Sequence, residues 1–333
     1  MDVMKKLALA AALALTSVAN AATIKIATVA PDGTAWMREM RATAETIKKS
    51  TEGRVELKFY PGGVMGDDAT VLRKIKIGQL QGGAFTGGEA SVITKDAEIY
   101  TVPFLFRSQE EVDKVRTKLD PLLKEQFRKS GFELLGVSGG GFAYLMSTRD
   151  IKSRDDLKNA KVWVPQGDDI AALTFKAAGV TPIPLPLSDV YTSLQTGLID
   201  TAANTPAGAI AFQWHTKIKH VVDLPVIYVV GELVVDKKAY DALSAADQKV
   251  LADEIGGAFD RLDKQNRADN ASARDALKQQ GISLFVPDAA ERKTWDAVGA
   301  DAYKQLTSSN TFSPELQKAL DAALAEARSG SSK

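Results

Sequence analysis

Cysteine is absent from the 333 residues. That excludes disulfides, thiol nucleophiles, cysteine-ligated zinc and a lipoprotein anchor on an N-terminal cysteine. Histidine is almost absent too: His215 and His220 are the whole supply. They are five residues apart rather than the four that would set two ligands on one helix face, so no metal site and no cofactor are expected. Neither sign of charge is in excess, with 42 basic and 42 acidic residues, which argues against a nucleic-acid or anionic-membrane surface. Phosphate-cradling loops are missing, since Gly139-Gly140-Gly141 does not satisfy G-x-G-x-x-G and no G-x-x-x-x-G-K-[ST] occurs. A spanning helix needs roughly 20 apolar residues. The run Leu7–Leu15 falls well short, and nothing later approaches that length.

What is present reads first as an export signal. Lys5 and Lys6 precede the short apolar run and Ala19-Asn20-Ala21 offers an A-x-A cleavage site. Residues 1–21 are therefore expected to be removed, leaving a soluble periplasmic chain that starts at Ala22. Loss of Asp2, Lys5 and Lys6 leaves a net charge of −1. Hydrophobic content of 45% is that of a globular protein, and the length exceeds what one core usually holds, so two lobes are expected.

The pattern along the chain is α/β. Thr23–Val29 alternates with period two, and Thr34 can cap a helix carrying Trp36, Met37, Met40, Ala44 and Ile47 at helical spacing. A strand over 54–60, a helix opened by Asp67 and Asp68, and a strand over 79–86 follow. This β-α-β-α-β order implies an open, mainly parallel sheet with helices on both faces. The rhythm repeats after Ala143. Separate strands are expected over 133–137 and 143–147, and a long helical pattern from Ser244 to Gln280, interrupted at Gly256-Gly257.

One motif suggests catalysis. Gly136-Val137-Ser138-Gly139-Gly140 matches the G-x-S-x-G nucleophile elbow, with Asp189 or Asp200 and then His215 or His220 in hydrolase order. An elbow needs a helix directly after its serine, whereas residues 141–146 read as a strand, so a glycine turn is the favoured reading. A two-lobed exported chain without metal, nucleotide or triad signatures points to binding in an interlobe cleft.

Four segments then carry a resemblance. Residues 60–68 (YPGGVMGDD), 103–107 (PFLFR), 155–165 (DDLKNAKVWVP) and 188–200 (SDVYTSLQTGLID) resemble, in order, motifs of the periplasmic solute-binding subunits of TRAP transporters, the DctP family. The resemblance covers essentially the whole chain after the export signal. It implies two α/β lobes joined by crossing strands and spanned by a long helix. It also implies closure on a small organic ligand and delivery to small and large integral membrane subunits, with no enzymatic activity and a monomeric or dimeric receptor. The lobes are expected as residues 22–140 plus about 230–270, and 141–229 plus about 271–333.

The resemblance also places the site. Relatives usually hold a carboxylate with an Arg in the strand where this chain has Trp163. The other basic position falls at Ala143, flanked by Phe142 and Tyr144. Arg149 is the cation that could substitute, although it looks structural. Asn204 matches an Asn that faces the ligand, and Trp214 follows where an aromatic often lines the cleft. Trp36, Thr86 and Gly87 sit at the first lobe's strand ends, where open α/β sheets bind ligands, although Trp36 and Trp214 are equally suited to core packing. The expected ligand is thus more apolar or aromatic than a four-carbon dicarboxylate. The alternatives are an exported serine hydrolase using Ser138 and a binding protein that feeds a signalling sensor.

Overall fold

The computed structural model describes residues 21–329. The expected export signal lies, apart from Ala21, outside the described residues. Three parallel strands open the chain: β1 (Ala22–Thr28), β2 (Val55–Tyr60) and β3 (Gly82–Thr86). The helices between them start where the sequence supplies caps. The Thr34 hydroxyl accepts the Met37 N–H at 3.3 Å, and the Asp67 carboxylate accepts the Thr70 N–H at 2.8 Å.

The second half adds β4 (Phe132–Ser147), β5 (Trp163–Pro165), β6 (Ile183–Leu185), β7 (Thr201–Asn204), β8 (His220–Asp236) and β9 (Ser283–Phe285). The main sheet runs β2-β1-β3-β8-β4-β7, with β9 beside β8, while β5 and β6 pair separately. The architecture is α/β and two-lobed. The lobes are not two independent sheets, however. The antiparallel pair β4–β8, running from Phe132↔Asp236 to Ser147↔His220, threads both. Burial along β8 alternates through Val226, Tyr228 and Val230, then becomes continuous over residues 232–235, where the sheet is covered on both faces.

Two expectations need correction here. The strands expected over 133–137 and 143–147 are one strand, and the glycines between them form no turn. The chain stays extended there, with the pairing register shifting between Gly139 and Gly141, a bulge rather than a reversal. No helix follows Ser138. Ser138 pairs with Gly231, whereas His220 pairs with Ser147 nine residues further along, about 30 Å away at about 3.3 Å per residue. The hydrolase constellation is not assembled.

The second correction concerns the long helix Ala245–Gln279, which runs unbroken through Gly256-Gly257. It starts at the Ser244 cap, whose hydroxyl accepts the Asp247 N–H at 3.1 Å, and spans roughly 50 Å at 1.5 Å per residue. Leu251, Ile255, Phe259 and Leu262 pack with β1, and Leu277 packs with Trp163 and Trp214 in the other lobe. Between these ends, Asp263, Asn266 and Asn270 share one face and grip the bulge. Asp263 accepts the Gly139 N–H, while the Asn266 and Asn270 amides donate to the Gly139 and Gly140 carbonyls at 2.9 and 2.7 Å. This close approach explains the glycines: Gly141 has φ +108°, and a Cβ there would lie 2.6 Å from Asn270 Nδ2.

The helix Ala289–Ser308 carries Trp295 and Val298 into the second-lobe core. The last helix, Pro314–Ser329, returns to the first lobe. Leu316, Leu320 and Leu324 pack there with Val112, Leu119 and Leu123 of the helix Gln109–Lys129. Among the described residues no helix is long and apolar enough to cross a membrane.

Candidate ligand-binding cavity

A cavity of about 240 Å³ lies between the lobes, beside the β4–β8 crossing. The carboxyl ends of three strands open onto it, through Thr86 of β3, Pro165 of β5 and Asn204 of β7, the position where α/β sheets bind ligands. Gly140 and Val229 form its floor, and Phe104, Phe175, Phe212 and Trp295 add aromatic wall.

Trp163 lies on this wall. Its indole Nε1 donates to the Leu185 carbonyl at 2.9 Å, so its polar edge is satisfied within the β5–β6 pair. Trp214 stands edge-on behind it, with ring centroids 5.6 Å apart, and is almost wholly buried. It supports Trp163 without lining the cavity. The Asn204 side-chain oxygen Oδ1 accepts the Thr205 N–H at 2.8 Å. Its amide nitrogen makes no bond to any described residue and is available to a ligand.

Other expected residues stand elsewhere. Trp36 packs edge-on against Phe59 at 6.0 Å, and Phe142 against Tyr228 at 5.2 Å. Tyr144 is covered by the Arg274 guanidinium, 5.6 Å from its ring centre. Gly87 is wedged against Val230 and the Ala97 carbonyl, while its neighbours Thr86 and Gly88 reach the cavity. Arg149 is held at the surface by the Asn159 carbonyl and by Asp200, 3.6 Å away. No Lys, Arg or His among the described residues lines the cavity.

The sequence reading missed the two charged side chains that do line it, Glu89 and Asp168. Each caps a helix. Glu89 Oε2 accepts from the Thr86 hydroxyl at 2.9 Å and its N–H at 3.3 Å, and Asp168 Oδ1 accepts the Ala171 N–H at 2.7 Å. Burial, with the Asp68 charge, pushes the Glu89 carboxyl well up. Burial raises Asp168 to about 6, although the Ala171 N–H opposes the rise. Their signal lay in capping patterns at strand ends, where a cap and a wall residue can coincide. Phe104 also escaped notice, although the apolar loop 103–106 that carries it stood out. Its N–H donates to the Val226 carbonyl at 2.7 Å and its φ is +57°. That conformation is rare for a bulky residue, and it sets the ring 5.6 Å from Trp295.

The same edge ties the lobes together. Asp168 Oδ2 stands directly over Gly88, where a Cβ would come within 2.6 Å of it. The Ser91 hydroxyl donates to the Gly167 carbonyl at 3.3 Å, and Lys95 Nζ meets Asp169 at 2.7 Å.

This architecture agrees with a family match. The model for DctP, bacterial extracellular solute-binding protein family 7, matches residues 26–310. The chain belongs to this family. It is similar to the C4-dicarboxylate-binding periplasmic protein DctP of Rhodobacter capsulatus, at 24% identity over 96% of both chains. It is also similar to the ectoine/5-hydroxyectoine-binding periplasmic protein UehA of Ruegeria pomeroyi, at 25% identity over 78% of both. A TRAP periplasmic solute-binding protein from Desulfovibrio salexigens, solved with orotic acid, shares the fold. Its TM-score is 0.85 at 19% identity, covering 92% of this chain and 99% of that one. As a family member the chain is an extracytoplasmic solute receptor and not an enzyme, so the serine hydrolase alternative falls.

Proposed function

We propose that this receptor binds one small organic molecule in the interlobe cavity and delivers it to the integral membrane subunits of a TRAP transporter. The ligand is largely apolar, ring-bearing and polar at one end, with the Asn204 amide holding that end and Trp163 forming a flat wall. Thr86 belongs to this site. Trp214 and Gly87 act through packing behind it, whereas Trp36, Phe142 and Tyr144 pack elsewhere in the lobes. The lobes divide near Gly140 and again near Val229. The last helix, Pro314–Ser329, goes with the first lobe, since its apolar face packs there, and the helix Ala289–Ser308 with the second.

The observation that supports this reading is a wall holding Trp163 and no cation. Relatives named for C4-dicarboxylate and sialic acid take acids. A small dicarboxylate in this cavity would lose its water without gaining a counter-ion, and an unpaired buried charge is expensive. A ring on Trp163 gains about 0.5–1.5 kcal/mol beyond burial.

A thermal-shift screen across carboxylates, aromatics and neutral polar compounds tests this. A binder at about 100 times its dissociation constant adds about 2.7 kcal/mol of stability. Calorimetry then compares Trp163→Ala and Trp163→Arg, both of which should weaken the apolar ligand. Tight succinate or malate binding that survives Trp163→Ala unchanged overturns the reading.

A further inference from the structure

The cavity wall combines a buried carboxylate with a set of aromatic rings, and this combination specifies more than apolarity. Of its two charged side chains, Glu89 is fully engaged. Its Oε2 accepts two bonds from Thr86, and burial, with the Asp68 charge, pushes its carboxyl well up. Asp168 differs. Oδ1 is used by the Ala171 N–H, while Oδ2 rests over the bare Cα of Gly88. Behind it stands the wholly buried Glu98, raised to about 9 by burial and by the Asp168 charge. At neutral pH Glu98 is therefore the neutral member of the pair and Asp168, near 6, the charged one. Lys95 acts on Asp168 from outside the wall, and its ammonium is paired with Asp169.

Trp163, Phe104, Phe175, Phe212 and Trp295 line the same cavity. Aromatic faces carry a negative quadrupole and attract cations. A carboxylate ligand would meet both the Asp168 charge and the electron-rich faces unfavourably. An ammonium would meet both favourably.

We infer that the solute carries a protonated nitrogen that meets Asp168, with its apolar body against the aromatic wall. This rests on the reading of the cavity as the solute site and names the ligand's charge.

The test uses three probes that share a skeleton: 3-phenylpropylamine, 3-phenylpropanamide and 3-phenylpropanoate. Calorimetry and thermal shift are run on the full mature chain and on Asp168→Asn. Asn caps a helix as well as Asp does, so the variant keeps its fold, and its melting temperature checks that. The amine should bind tightest and the propanoate weakest. Asp168→Asn should cost the amine at least about tenfold, the scale of a hydrogen bond to a charged group, and leave the amide unchanged. The inference is overturned if the propanoate outbinds the amine, if the amine is indifferent to Asp168→Asn, or if millimolar amine neither binds nor stabilises. A propanoate that outbinds the amine and is lost in Trp163→Ala would sink the charge assignment while keeping the cavity. Binding of any probe that is indifferent to Trp163→Ala would sink the cavity reading itself.

Discussion

The short helix Lys95–Tyr100 joins two buried acidic groups that the chain treats in opposite ways. Tyr100, at its end, donates to Asp120 at 2.5 Å. There Arg116 supplies the counter-charge. Its guanidinium bonds Asp263 at 2.8 and 3.0 Å, Asp120 at 3.0 Å and the Val137 carbonyl at 2.8 Å. Glu98, two residues earlier, lies beside Asp168, and the one nearby base, Lys95, bonds neither of them but pairs with Asp169 at the rim. Where the group is structural, at the crossing of β4 with the long helix, a cation built into the chain neutralises it. At the cavity wall no base bonds the carboxyls, and burial raises them instead. A buried acid without its own base is thus left to a ligand or to pH.

The largest effect that can break this contrast is loss of Arg116. Arg116→Ala should destabilise the protein by up to about 3–5 kcal/mol, because the partly buried Asp120 and Asp263 both lose their cation. Chemical denaturation measures it. A loss under about 1 kcal/mol would mean that this node is as self-sufficient as the cavity acids.

pH sharpens the comparison. Glu98 titrates near 9 in the folded chain against 4.5 for the free side chain, and Asp168 near 6 against 3.8, with burial as the main cause for each. The folded chain holds protons that the unfolded chain has released, so their contribution is complete below about pH 4 and fades as pH rises toward 9. Glu98→Gln should remove the larger part of that fall. Its melting temperature should lose less than the wild type's between about pH 5 and pH 9, and parallel profiles would refute the assignment. Arg116 variants should leave the same slope intact.

How much of this was legible beforehand follows from what each feature depends on. Helix starts at Thr34, Asp67 and Ser244 were readable because a cap is a local bond within three residues. Trp163 was readable through the motif around it. The unbroken strand Phe132–Ser147 was not, because Gly139 and Gly141 are there to admit Asp263 and Asn270 of the long helix, more than a hundred residues away. Asp168 and Glu89 were hidden for a related reason. Each does a local capping job that accounts for it fully in sequence, and only the meeting of the lobes turns it into cavity wall.

Gly88 tests that meeting with a smaller perturbation. Gly88→Ala would put a methyl 2.6 Å from Asp168 Oδ2. Either the Asp168 cap must shift or the lobes must part, at a cost of about 1–3 kcal/mol, the usual range for overpacking. The effect should fall on ligand affinity more than on the melting of either lobe, and calorimetry on the stabilising ligand reads it. Unchanged affinity would mean that Asp168 can swing away freely.

The smallest expected effect is at the exposed rim. Lys95 Nζ and Asp169 meet at 2.7 Å across the lobes, with the two side chains 45% and 80% exposed. A pair so open to water contributes about 0–1 kcal/mol, and salt screens it. Lys95→Ala should therefore leave the melting temperature almost unchanged. The pair nevertheless joins one lobe to the other, so what it contributes belongs to the closed arrangement alone. Small-angle scattering should show a larger mean radius of gyration for Lys95→Ala at low salt, and the difference from wild type should vanish at high salt. If the variant matches wild type at low salt as well, this rim does not bias closure. The lobes are then held by the buried contact of Asp168 with Gly88 and by the β4–β8 crossing.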